Sequence, residues 1–568
     1  MNLKTDLLTR LASDISAEPM MAHLAEFSRW QKLAGSEEEA TSLNYVRQQL
    51  DAYGLETSLL HHDAFISLPL DASLTFNGTE IRAITHSMAL PTPEGGLTGQ
   101  IIDLGNAEPA DFDAMDLTGA IVLINGMATP EMAKRCRLAK VAGQIHISSS
   151  HNLHEMCISP VWGNPDHESS KELPTSCVIT VSNEDGRNIR AQLSKQPDTA
   201  ATLHADVDTG WRKTPILIAD LKAANAPENA PYIMFSGHHD TWYEGVMDNG
   251  SANATMLEVA RCLVPFRDQM QRHLRFCFWS GHSQGRYSGS AWYADQNWHA
   301  LEQDCAVHVN VDSTGGKGNT LLSLAPAATE LCALAQDAIS SHSEQDHQGA
   351  RLARNSDQSF WGIGIPSLFG ILSCQPVETP GVRNALGWWW HTPHDKIEHI
   401  DPDLLVRDTR IYSHALGRLL FEDVLPIHVS AQVEDLITQL AETQLPPTNS
   451  VPLEKLIVEA DNLRKSVRRL EMETPQSKVG CLQRDRLMMR LSRYLVPLDY
   501  TSGDRFSHDH ALPLPKWPSL EPLRILSQQQ PDTAVFHQCN GAATRCANRI
   551  LSNLRQANAL LEAEGAIQ

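Results

Sequence analysis

The stretch PYIMFSGHHDTWYEGVMDNGSANATMLEVAR, residues 231–261, decides the fold. It opens on a short apolar run that ends in His238, His239 and Asp240. A polar turn carrying Asp248 follows, and Ala252–Leu263 then repeats apolar residues at helical spacing. Strand, polar turn and helix in that order make one unit of an open α/β sheet. Further short apolar runs stand around it: PILIADL, LRFCFWSG, CAVHVNVDS and PSLFGIL, several of them separated by helical segments. The expected fold class is therefore α/β, a mixed, mostly parallel sheet with helices on both faces. In such sheets ligands bind beyond the carboxyl ends of the strands, so the residues just after each apolar run carry the functional reading.

Working outward, the texture changes twice. Residues 40–53 read as a helix closed by Gly54. LTGQIIDLG, GAIVLING and SCVITVSNEDG are β-rich runs bounded by Gly, Asp and Asn, with a helix expected near 130–143. After about residue 426 the chain reads as helical, with one apolar face formed by Leu453, Leu456, Ile457, Ala460, Leu463, Val467 and Leu470. Proline-rich breaks are expected at Pro446 and Pro447 and from Pro497 to Pro522. Three parts result: a catalytic-type domain from 1–60 and 206–425, an inserted small β-rich α/β domain over 61–205, and a helical C-terminal domain over 426–568.

Composition narrows the function classes. A formal net charge of -22 disfavours nucleic acid and anionic membrane as partners. No run approaches the ~18 apolar residues that a membrane span needs. The N-terminal MNLKTDLLTRLASDISAEPMM mixes charges into its apolar residues, unlike a signal peptide. Eleven scattered cysteines without a C-x-x-C point to reduced thiols, and the expected location is cytoplasmic.

With 25 histidines in the chain, a His near an Asp means little by itself. Joint placement at the ends of apolar runs means more. His238 follows PYIMFSG, Asp248 precedes a helix, Asp312 follows CAVHVNV, and His391 lies in GWWWHTPHDKIEHID. Imidazole and carboxylate together suit Zn²⁺.

These segments resemble those of the two-zinc aminopeptidases and glutamate carboxypeptidases. GHHDTWYEGVMDNGSANATMLEVAR is similar to that family's first metal-binding segment, HVNVDS to its third, WWHTPHDKIEHID to its last, and NSDQSFWGIGIPSL to its Ser-Asp-x-x-Phe segment. LTGAIVLINGMATPEMAKRCRLAKVAGQIHI and ELPTSCVITVSNEDGRNI resemble a protease-associated domain, which the carboxypeptidase and transferrin-receptor branch carries as an insertion. The resemblance implies a zinc-exopeptidase-like fold with one or two Zn²⁺ ions, another divalent transition metal being an open alternative. It also implies a small-molecule or peptide-like substrate and a homodimer. His238 and Asp312 would hold one metal, Asp248 would bridge, His391 would hold the second, and Asp240 would orient a ligand imidazole.

The match breaks at FWSGHSQGRYSGS, residues 278–290, where the family has Glu-Glu. Matched from Trp279, the pair falls on His282 and Ser283. Matched backwards from Gly289 and Ser290, it falls on Ser283 and Gln284. Neither register supplies a carboxylate, so His282 is the residue expected to take over part of that work, as metal ligand or as base. Arg286 and Tyr287 in the same loop are candidates for substrate contact or oxyanion stabilisation. Trp388, Trp389 and Trp390 could wall a pocket or pack in the core. Arg351 and Arg354 could bind a substrate carboxylate or lie on the surface. The expected function is metal-dependent hydrolysis of an amide bond in a small peptide or N-acyl amino-acid-like substrate. A metal-dependent lyase or cyclase, or a non-catalytic binding protein, are the alternatives.

Overall fold

The computed structural model describes residues 3–349, 351, 354, 356–377 and 385–564; Asn355 of the Ser-Asp segment lies outside them. In chain order the strands are β1 (Glu56–Phe76), β2 (Thr79–Arg82), β3 (Ile84–Thr85), β4 (Leu97–Gly105), β5 (Ile121–Asn125), β6 (Gly143–Ile147), β7 (Cys177–Val181), β8 (Ala200–Leu221), β9 (Tyr232–His238), β10 (His273–Trp279), β11 (Cys305–Asp312) and β12 (Ser367–Ile371). The expected α/β class holds. β12, β11, β9 and β10 lie side by side in parallel, and β8 and β1 continue the sheet antiparallel. Every residue of β11 is buried, and the polar side chains within it are paired: His308 with Ser236 and Ser367, and Asn310 with Ser356. Helix Ala252–Leu263 begins and ends where its spacing placed it. Helix Glu37–Tyr53 starts on Ser36, whose hydroxyl accepts the Glu39 N–H, and stops at Gly54 with φ 86°.

The inserted region leaves and returns through two long paired strands. β1 and β8 pair from Glu56 with Asp220 as far as Phe76 with Ala201. Their outer halves join a second sheet in which β4, β5, β6 and β7 run parallel, around a core of Leu74, Ile121, Leu123, Ile145, Ile179 and Leu203. The change of texture read at 61 and 205 therefore falls inside continuous strands, not in linkers.

The C-terminal helices Val429–Glu442, Leu453–Met472, Lys478–Tyr500 and Ala534–Ala563 share one apolar core with the central sheet. Leu456, Ala460, Leu463 and Val467 are the buried face of the second of these. The break expected at Pro497 does not occur there: helix Lys478–Tyr500 runs through it. Pro497 stands one turn from the end, where a single N–H is lost, and buried Leu495, Val496, Leu498 and Tyr500 hold the turn in place. Among the described residues no helix is long and apolar enough to cross a membrane.

Candidate metal centre

The ends of β9 and β11 and two turns bring four of the expected ligand residues together. His238 Nε2 lies 3.1 Å from Asp248 Oδ1 and 3.9 Å from Asp312 Oδ1. His391 Nε2 lies 3.0 Å from the other Asp248 oxygen, so that carboxylate sits between two imidazoles. Each part is braced. His238 Nδ1 is 2.8 Å from the Asp240 carbonyl. Asp395 accepts the Met247 and Asp248 N–H groups at 2.9 and 3.0 Å. Asp312 accepts the hydroxyls of Ser313 at 2.9 Å and Ser356 at 3.2 Å.

The donor set fits a divalent cation. With Nδ1–H given to a carbonyl, Nε2 of His238 is the nitrogen left to take a proton or an ion; it is buried and makes no well-directed hydrogen bond. It faces two carboxylates, which demand positive charge. Burial alone would push the His238 pKa down, but Asp248 and Asp312 outweigh it and hold it up to about 10. Burial likewise opposes ionisation of Asp248, yet His238 and His391 keep its carboxyl well below the usual range. A proton or a metal ion at His238 Nε2 satisfies the same demand, and mixed imidazole and carboxylate donors suit Zn²⁺.

His282 joins this cluster. In the parallel pairing of β9 and β10, Trp279 lies beside His238. Three residues later the turn folds the His282 ring onto the His238 ring, with centroids 3.7 Å apart and planes 11° from parallel. Among the described residues, ligand atoms of His238, His282 and Asp312 all lie within 4.8 Å of one another. His282 Nδ1 is 2.9 Å from Asp357 Oδ2. The His282 side chain thus groups with His238 and Asp312. The other register ends on Gln284. Gln284 is spent on backbone, accepting from Ala34 N and donating to Thr241 O at 3.0 Å each.

Asp240 does a different job from the one its spacing suggested. Its carbonyl, not its carboxylate, holds His238; the carboxylate accepts the His282 and Ser283 N–H groups at 3.1 and 2.8 Å and so fixes the catalytic-type turn. Tyr287 is buried against Trp162 at 4.5 Å and stands edge-on to His282 at 4.9 Å. Arg286 turns away, its guanidinium 3.4 Å from the Ala511 carbonyl. Arg351 and Arg354, both partly exposed, are held by the C-terminal segment. The first reaches Asp499 at 2.8 Å, and the second donates to the carbonyls of His510 and Asp509. Of the three tryptophans, Trp389 stacks on His399, Trp390 stacks on His391 at 3.6 Å, and Trp388 is exposed.

The inserted region supplies a contact that residue types did not announce. His391 Nδ1 is 2.6 Å from the Glu155 carbonyl, and the Glu155 N–H donates to the His391 carbonyl at 3.1 Å. Tyr243 donates its hydroxyl to the Glu155 carboxylate at 2.6 Å. The Glu155 backbone therefore sets the tautomer and angle of the His391 imidazole.

Comparison with known proteins agrees with this geometry. Aminopeptidase YwaD of Bacillus subtilis is 25% identical over 433 residues, covering 72% of this chain and 86% of that protein. The "Probable lipoprotein aminopeptidase LpqL" of Mycobacterium tuberculosis is 24% identical over 315 residues, 53% of this chain and 60% of that protein. The solved structure of a zinc aminopeptidase from Bacillus subtilis matches the fold with a TM-score of 0.55 at 21% identity, covering 72% of this chain and 96% of that one. The sequence profile of Peptidase family M28 matches residues 217–416, which include all five imidazole and carboxylate residues of the cluster.

Proposed function

We propose that the chain is a metal-dependent aminopeptidase-type hydrolase acting on an amide bond in a small peptide or N-acyl amino-acid-like substrate. The observation that carries this reading is the buried Nε2 of His238 facing two carboxylates, with a second imidazole stacked beside it. Its relatives' names, both aminopeptidases, support the reaction class. A single Zn²⁺ would be held by His238, His282 and Asp312, with the Asp248 carboxylate standing between that set and His391. When bound, the ion supplies a coordinated water of lowered pKa and polarises the scissile carbonyl.

The chain's own residues do the rest. The turn lacks a carboxylate base, so the proton falls to Nε2 of His391, whose Nδ1–H is committed to the Glu155 carbonyl. Asp248, 3.0 Å from that nitrogen, stabilises the protonated ring. Metal analysis of purified protein, paired with turnover of aminoacyl p-nitroanilides and N-acyl amino acids before and after chelation, tests the reading. Chelator-sensitive hydrolysis with one ion per chain supports it. A chain that binds no transition metal and cleaves neither substrate class overturns it, and two tight ions per chain would make His391 a ligand in place of a base.

A further inference from the structure

Three imidazoles meet at the site, and each is held by its Nδ1. For His238 and His391 the holder is a backbone carbonyl, of Asp240 and Glu155. For His282 it is a carboxylate, Asp357, completely buried and 2.9 Å away. That difference has chemical consequences. A carbonyl fixes a tautomer; a buried carboxylate fixes it and also makes the opposite nitrogen more basic. An ionised carboxylate can only accept, so the single N–H of a neutral imidazole must sit on Nδ1, and the lone pair is left on Nε2. The lone pair of a neutral His282 is therefore left on Nε2, in a side chain that clusters with His238 and Asp312.

Resting on the metalloenzyme reading above, we propose that Asp357 is the positioning residue that makes His282 a ligand of the same ion as His238 and Asp312. The placement is over-determined. Ser356, next to Asp357, donates to Asp312 and accepts from Asn310, so one short segment braces two ligands at once. Asp240 holds the backbone of the same His282 turn through two N–H groups. Backbone and ring of His282 are thus fixed by separate carboxylates, while its Nε2 is left for the ion.

The test is Zn²⁺ affinity of the full chain, read by competition with a chromogenic chelator, in wild type, Asp357→Asn, His282→Ala and the double variant. Asp357→Asn is expected to weaken binding about 10–100-fold. His282→Ala is expected to weaken it at least as much, and adding Asp357→Asn to His282→Ala should change nothing further. Unchanged affinity in Asp357→Asn, or a further fall in the double variant, overturns the proposal. A second measurement needs no variant: anomalous scattering from wild-type crystals grown with zinc should place the ion about 2.0–2.1 Å from His282 Nε2. An ion bound by His238 and Asp312 without His282 overturns the proposal and leaves the hydrolase reading standing. A wild type that binds no Zn²⁺ ends both.

Discussion

The His282 ring lies flat on the His238 ring, 3.7 Å from it, in the turn where related enzymes were expected to carry two glutamates. Around this pair stand four buried carboxylates, Asp240, Asp248, Asp312 and Asp357. An imidazole here adds no fifth negative charge and gives Asp357 a donor. His282→Glu should therefore be more destabilising than His282→Gln, since a glutamine amide still donates to Asp357 while a carboxylate repels it. The expected gap is about 3–5 kcal/mol, the scale of an uncompensated buried charge. Thermal unfolding of both variants in chelator measures it; equal melting temperatures would show that Asp357 does not need its partner.

Metal binding should be steeply pH-dependent. Without an ion, the carboxylates hold the His238 pKa up to about 10, so the ring is protonated throughout the neutral range. An ion at Nε2 must displace that proton, so Zn²⁺ affinity should rise about tenfold per pH unit between pH 7 and 9. The metal-free protein should behave in the opposite sense. A raised His pKa stabilises the fold below its ordinary value of 6.5, and that stability is lost as pH climbs through about 10. Chelator competition and melting curves at pH 6.5, 7.5 and 8.5 check the two signs together.

The central sheet was legible because parallel strands covered on both faces show as apolar runs, and His238 and Asp312 stand at the ends of two of them. The position of His282 was legible for the same reason. What it touches was not, since Asp357 lies 75 residues further along and only folding joins them. The spacing of Asp240 from His238 placed the two together but could not tell carbonyl from carboxylate. The Glu155 contact to His391 is made by backbone and leaves no residue-type signature. The partners of Arg351 and Arg354 were not legible, because nothing local shows that a C-terminal segment returns to meet them.

That insertion contact can be loosened through Tyr243. Burial raises the Glu155 carboxyl to about 7, and the Tyr243 hydroxyl opposes this. Tyr243→Phe leaves a buried carboxylate oxygen without its donor, at a cost of about 1–3 kcal/mol, and slackens the loop that orients His391. Turnover should fall about 3–10-fold, which corresponds to about 1 kcal/mol in the barrier, with metal content unchanged. A variant that loses its metal instead would show that Tyr243 supports the His238 side of the site.

Glu330 makes a stability prediction away from the site. It is fully buried and both of its carboxylate oxygens lack hydrogen-bond partners. Burial first, then Asp499, pushes its pKa up to about 8. A carboxyl raised in the folded state contributes stability below its ordinary 4.5, and loses it as pH rises through about 8. Glu330→Gln should therefore melt close to wild type at pH 5 and above it at pH 9, by about 1–3 kcal/mol. A constant offset between the two melting curves across that range would contradict the buried-acid account.

The junction between the central sheet and the helical C-terminal part rests on Arg272 and Asp485. Arg272 is 1% exposed, and its Nε donates to Asp485 Oδ2 at 2.7 Å. The same guanidinium donates to the carbonyls of Leu419 and Glu422 at 3.0 and 2.8 Å, and Asp485 accepts the Leu425 N–H at 2.7 Å. One ion pair thus ties the start of β10, the end of helix Pro402–Phe421 and helix Lys478–Tyr500 into a single knot. Removing either charge strands the other in the core. Arg272→Ala should cost about 3–5 kcal/mol, and so should Asp485→Ala. Because the two share one interaction, the double variant should cost much less than the sum, leaving a coupling energy of about 1–3 kcal/mol. Denaturant unfolding read by tryptophan fluorescence and by helix content should also shift together in every variant, since one apolar core spans both parts. Two separated transitions, with only the helical signal moved by Arg272→Ala, would show that the C-terminal helices fold independently and merely dock on the sheet.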